Sequence, residues 1–252
     1  VVSATSITAT TPAHAVGAVN VVVTNSDGQS SLPLTNGYTY TSSTGGGPIS
    51  FVQVAAATPR TPTASVPVTY AVAQTAGNLN IVVVGWNDTT STVNSVTDSN
   101  LNQYTLAVGP TTGTGLQQSI YYARNIAPGG NTVTVAFSKA AVFADVRALE
   151  YSGLDTANPL DLPAAVGAAG TGSTANSGSA TTATANDLIF GAGTTSGHFN
   201  GPGTGFTSRI ITSPDGDIAE DKIVSGTGSY NATAPANYSN WVMQMVAFKA
   251  QQ

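Results

Sequence analysis

Cysteine is absent from the 252 residues. That excludes disulfides and thiolate metal sites and leaves packing and hydrogen bonding to hold the fold. Charge is scarce: 8% of residues are Asp, Glu, Lys or Arg, against about 25% in an average soluble domain. Thr, Ser, Gly, Ala and Asn fill the surface instead, and a surface solvated by hydroxyls and amides suits a secreted, extracellular bacterial protein. The seven Lys and Arg are scattered singly in a chain of net charge −5, so no patch tracks phosphates and nucleic acid is not an expected partner. There is no apolar run of about 18 residues, and hence no expected helical membrane span. No charged-then-apolar leader opens the chain and residue 1 is Val, which predicts a processed product or an excised piece. With two histidines and no G-x-S-x-G, nucleophilic hydrolysis lacks its residues.

Strands and turns make up what is there. Short alternating stretches bounded by Gly, Pro, Asn and Asp predict strands at Ser6–Thr10, Ala18–Thr24, Tyr38–Thr41, Ser50–Ala56, Ser65–Ala73, Leu79–Trp86 and Gln103–Val108. The same signals predict Gln117–Asn125, Thr132–Ser138, Asp145–Tyr151, Asp187–Gly193, Phe206–Thr212, Asp217–Ser225 and Trp241–Lys249. Strands this short and this dense imply an all-β sandwich or jelly roll. In Thr132–Ser138, Val133, Val135 and Phe137 point one way while Thr132, Thr134 and Ala136 point the other, as in a sheet wet on one side. Ile81–Val84 and Trp241–Phe248 are apolar on both faces, which predicts central strands. The stretch TSSTGGGP (41–48) cannot anchor a core and reads as a flexible connector. The soft stretch Gly167–Ala185 reads as a long loop plus a polar edge strand of the larger domain. The organisation expected is a segment over 1–42, a linker over 43–48 and a β-sandwich over 49–252.

The opening ITATTPAHAVGAVNVVVTNSDGQS, followed by NGYTY, has a specific pattern in Pro12, His14, Gly17, Val19, Val21, Val23, Asn25, Asp27, Gly28 and Tyr40. Over residues 3–41 it resembles the C-terminal half of an IPT/TIG domain, an immunoglobulin-like module. The front half of that family's pattern is absent. The resemblance implies a spacer, an interaction module or a surface-protein stalk. It also implies a partial sandwich whose rims and valines recruit further strands, from the same chain or from a neighbouring subunit. Residues 49–252 resemble, more loosely, a jelly-roll-like module found beside IPT/TIG domains in secreted multidomain proteins of soil bacteria. The segments that carry this likeness are AGNLNIVVVGW, SVTDSNLNQYTLA, QSIYYARNI, ALEYSGLD, NDLIFGAG, GFTSRI, AEDKIV and WVMQMVAF. It implies a fold and an extracellular habitat but no activity.

Candidate chemistry comes from the residues themselves. SPDGDIAEDK concentrates Asp215, Asp217, Glu220 and Asp221, hard oxygen donors that could hold Ca²⁺ if backbone carbonyls complete the shell. Period two would place Asp217 and Asp221 on one face and Glu220 with Lys222 on the other, so convergence needs a bulge; otherwise the segment is a turn entering a strand. Asp88 and Asp98 are either further calcium ligands or turn caps. Glu150 and Glu220, the sole glutamates, would have to converge for glycosidase chemistry. A non-catalytic role is expected. His198, in the glycine-rich SGHFNGPGTG, suits ligand contact, whereas His14 sits in a structural turn. Trp86, Tyr104, Tyr122 and Trp241 could stack on sugar rings or plug the core. Two roles follow: a structural or adhesive module of a bacterial surface protein or fibre, self-associating or set among neighbouring domains; or a carbohydrate-binding module of a secreted polysaccharide-active protein.

Overall fold

Residues 17–40 and 47–251 of this computed structural model are described, and they form strands and turns with no helix among them. The strand expected over Ser6–Thr10, the turn bearing Pro12 and His14, and most of the linker lie outside the described residues. The chain divides into two units, Val1–Gly45 and Gly46–Gln252.

In the first unit β1 (Gly17–Val21) pairs antiparallel with β2 (Leu34–Tyr40), with a register irregularity between Val19 and Val21. Asp27 and Gly28 form a turn between them, Gly28 taking φ +85°, a conformation that glycine adopts at no steric cost. Val21, Val22, Val23, Leu32 and Leu34 are exposed.

In the second unit the sequence LNIVVVGW becomes β5 (Leu79–Trp86), buried at every position. Alternation sorts its side chains between two cores. Leu79, Ile81 and Val83 pack with Ile120, Leu149, Tyr151, Phe190 and Phe248. Val82, Val84 and Trp86 pack with Val66, Val68, Val133, Val135 and Phe137. The strand is the centre of a five-stranded antiparallel sheet, in order β3 (Ser50–Ala57), β10 (Asp145–Ser152), β5, β8 (Leu116–Ala123) and β7 (Thr105–Gly113). A second five-stranded sheet lies against one face, in order β11 (Leu160–Asn176), β17 (Thr233–Lys249), β13 (Asp187–Thr195), β15 (Ile218–Val224) and β14 (Thr207–Ile211). The other face is covered by a three-stranded sheet of β4 (Thr63–Thr69), β9 (Thr132–Ala141) and β6 (Val93–Asp98). A third core backs the second sheet, where Ile189, Met243, Met245 and Ala247 meet Phe199, Phe206 and a run of alanines at 232, 234 and 236. Beside it lies the short ribbon of β12 (Ala180–Thr181) with β16 (Ser229–Tyr230). The architecture is all-β and antiparallel, a sandwich extended on both sides.

Both strands expected to be central have that place, since Val242–Phe248 of β17 are buried throughout. In β9, Val133, Val135 and Phe137 are buried while Thr132, Thr134 and Ala136 are half-buried, the one-sided pattern read from their alternation. The soft stretch holds the expected edge strand, but more of it is strand than loop. β11 runs to Asn176 along the edge beside β17, and two of its glycines are required by close approach. A Cβ at Gly170 would lie 2.5 Å from the Trp241 ring, and one at Gly167 would meet the Thr111 hydroxyl and the Gln244 side chain. What looks like linker composition is a strand stripped of side chains so that neighbours fit. β17 likewise begins eight residues before Trp241, at Thr233. Its early half pairs with the end of β11, and Pro235 sits opposite Thr174, next to a register shift.

Candidate functional site

The acids of SPDGDIAEDK follow strand parity. Asp217 and Asp221 point between the two five-stranded sheets. Asp221 accepts a hydrogen bond from Tyr151 Oη and takes Arg209 through Nε at 2.7 Å and Nη2 at 2.9 Å. Asp217 accepts the Thr195 amide at 2.9 Å and lies 3.7 Å from Arg147 Nη2. Glu220 points to the opposite side, where its Oε2 accepts the Gly203 amide at 2.8 Å and its Oε1 is buried without a hydrogen bond. Burial pushes the Glu220 carboxyl up to about 7, against the pull of that amide and of Lys222. Lys222 itself lies over the Phe206 ring at 4.4 Å. Asp215 pairs with Arg60 at 2.8 Å. The four acids thus go to separate partners, and within β15 Asp221 and Glu220 point to opposite faces. Among the described residues no group of three or more His, Asp or Glu side chains is placed to hold a metal ion.

The two turn acids act as caps. Asp88 Oδ1 accepts the amides of Thr90 and Ser91, and Oδ2 accepts that of Val142. Burial raises its carboxyl, but these amides outweigh the burial and set it at about 2. Glu150 is fully buried and accepts from Gln53 Nε2, the Thr75 amide and Asn78 Nδ2. It faces away from Glu220, so the two glutamates form no catalytic pair.

The aromatic candidates separate. Trp86 is 1% exposed and packs edge-on against Phe137 at 5.6 Å, so its ring has no face to offer a ligand. Tyr104 donates its hydroxyl to Asp98 Oδ2 and accepts from Asn80, and burial together with Asp98 raises its pKa. Trp241 is half-buried over Gly170. His198 is exposed and is packed against Gly216, which holds φ +76°. Tyr122 is half-buried, edge-on to Phe248 at 5.7 Å, and lines an open cleft of about 780 Å³.

That cleft is formed by three segments: Leu101, Asn102, Gln103 and Thr105; Tyr122, Arg124 and Asn125 at the end of β8; and Thr156, Ala157 and Asn158. Its first wall is fastened by Asp98, whose Oδ1 accepts the amides of Asn100 and Asn102 and whose Oδ2 accepts from Asn102 Nδ2, Tyr104 Oη and Asn131 Nδ2. Asn102 Oδ1 in turn accepts the Ala127 amide at 2.8 Å. The wall so held carries Leu101 at φ +61° and 82% exposed. An aliphatic residue in the left-handed region is strained, by roughly 1–3 kcal/mol, and persists because its surroundings over-determine it. Asn125, on the second wall, has φ +48°. The third wall is an Asx turn in which Asp155 Oδ1 accepts the amides of Asn158 and Ala157; those bonds lower the Asp155 pKa, with smaller help from Lys249 and Arg124. Of the residues expected at a site, the cleft contains Tyr122. Arg124 and Leu101 were not expected there, although the Asp98 turn and the YYARN run that carry them are visible in the sequence. Chemically the cleft offers an exposed guanidinium, amide groups and an aromatic edge, a set that can bind hydroxyls and anions.

No family model, curated protein or solved structure matches the chain.

Proposed function

We propose that the chain is a non-catalytic structural or adhesive module of an extracellular bacterial surface protein or fibre. One observation carries the reading: the ionisable interior is tie material. Arg147, wholly buried on β10, spans to the facing sheet by donating to the carbonyls of Gly193 and Ile218 and to Thr194, and within its own sheet it donates to Gln118 and pairs with Asp145 at 2.8 Å. Tyr151 to Asp221 to Arg209 makes a second tie and Gln118 to Gln244 a third. Groups engaged in joining sheets are held still, which suits a part that keeps its shape under load. The likeness of residues 3–41 to an IPT/TIG half-domain supports the same reading, as does the jelly-roll-like likeness of the remainder. The two-stranded β1–β2 sheet, with its exposed valines and leucines, suits strand addition from another copy or a neighbouring domain. Sedimentation velocity over a wide concentration range tests this: reversible assembly is expected, and a monomer throughout would remove strand complementation from the proposal. Incubation with soluble polysaccharides, following release of reducing ends, tests the non-catalytic part; heat-labile release would overturn it.

The cleft favours a second reading, a carbohydrate-binding module. Its lining is mainly polar and its walls are pre-formed, which limits the ordering cost of binding a hydroxylated ligand. Retention on insoluble glycans, lost on Tyr122→Ala in a protein with an unchanged circular dichroism spectrum, tests it.

A further inference from the structure

Arg124 is exposed in the cleft, and among the described residues it forms no ion pair. Three of the other basic side chains, Arg60, Arg147 and Arg209, are each paired with an aspartate, and Lys222 lies over aromatic rings. Asp155 feels the charge of Arg124 but has its Oδ1 committed to two backbone amides. Leu101 lines the same cleft, held in the open at a strained φ by the Asp98 hub. Water gains nothing from an apolar side chain so presented; an apolar sugar face would.

Resting on the carbohydrate-binding reading, we propose that this cleft binds a uronic-acid-bearing polysaccharide. Arg124 pairs with the uronate carboxylate, Tyr122 and Leu101 contact the carbon-hydrogen face of a ring, and Gln103, Asn125 and Asn158 bond its hydroxyls. A planar guanidinium fork matches a carboxylate in geometry as well as charge. The surrounding amides suit hydroxyls at several positions, which favours a sugar acid over an acidic peptide. The protein's net charge of −5 repels polyanions at large, so uronate binding would report this local pairing and not general adsorption.

Titration calorimetry on the full chain tests the proposal, using hexamers of galacturonate and of mannuronate, each beside its methyl ester, with oligoglutamate as a peptide control. Expected are binding of at least one uronate, at least about tenfold weaker binding of its ester, and a similar loss on Arg124→Gln. Leu101→Gly should weaken binding several-fold while leaving the melting midpoint unchanged or raised, because glycine relieves the left-handed strain; a purely structural Leu101 would not behave so. Equal binding of acid and ester, untouched by Arg124→Gln, would overturn the uronate assignment and leave the carbohydrate-binding reading standing. Oligoglutamate binding as tightly as the uronates would overturn the sugar class. Failure of every hexamer to bind would overturn the uronate assignment, and the carbohydrate-binding reading would fall with it only if retention on insoluble glycans were also absent.

Discussion

The space between the two five-stranded sheets and the open cleft draw on the same side-chain types, Arg, Gln, Thr and Tyr, and use them in opposite ways. Arg147 has no exposed surface, and protein oxygens from both sheets surround it. Arg124 stands in solvent at the rim. Desolvation makes the difference. A buried charge must be met by protein groups or destabilise the fold, whereas an exposed one is met by water, which a ligand can displace. Charge inside this molecule is architecture, and charge at the cleft is available for binding.

The largest way to break that contrast is Arg147→Met. It would leave Asp145 and Asp217 in the interior without their cation, and we expect a loss of about 3–5 kcal/mol, read from urea denaturation. Burial already raises the pKa of both acids, with Arg147 pulling the other way. The variant should therefore recover part of its stability as the pH falls and the acids take up protons. A loss no greater than that of an ordinary surface substitution would end the view of Arg147 as a tie.

Asp98→Ala comes next. It removes the acceptor for five donors at the first wall of the cleft. About 2–4 kcal/mol is expected from the stranded donors, with glycan retention lost at temperatures where the fold persists.

A smaller effect concerns pH. Burial raises Glu220 to about 7, and burial together with Asp161 raises Asp187 to about 7. The fold therefore holds these protons more tightly than the unfolded chain does. Their contribution is complete below the ordinary carboxylate range, near 4, and is lost as pH rises through 7. Asp88, lowered to about 2, works in the other direction, and its contribution fades only as pH falls below about 4. Urea midpoints should thus fall between mildly acidic and neutral pH, and Glu220→Gln should flatten the slope. A midpoint rising over that interval would contradict the burial assigned to these two carboxyls.

The smallest effect sharpens the comparison most. Arg124→Gln should leave the melting midpoint unchanged, and chelator should leave that of the parent protein unchanged, since the acids at 215, 217, 220 and 221 are committed to separate protein partners. A chelator-induced drop would show that a cation draws them together.

Much of the architecture was legible in the residues. Runs apolar on both faces marked β5 and the later half of β17 as central, because a strand packed on both faces cannot alternate. Parity separated Asp217 and Asp221 from Glu220 and Lys222. An edge strand was read in the soft stretch, but the length of β11 was not: Gly167 and Gly170 look like loop residues until Thr111 and Trp241 are seen occupying the space that their side chains would need. The first half of β17 was missed because Pro235 and the polar ANYSN run carry loop signals, which pairing with β11 overrides. Trp86 read as core plug or ligand platform, the plug being the commoner fate of an aromatic at a strand end, and its packing against Phe137 makes it core.

Alternation, turn residues and the absence of cysteine were enough, by themselves, to determine an all-β chain stabilised by packing, because strand periodicity is a local property of the backbone. Which arginine is sealed between sheets and which faces solvent, and that Leu101, Tyr122 and Arg124 border one cleft, were decided by tertiary structure. Burial and proximity between residues far apart in the chain depend on how sheets stack, and local sequence carries no record of that.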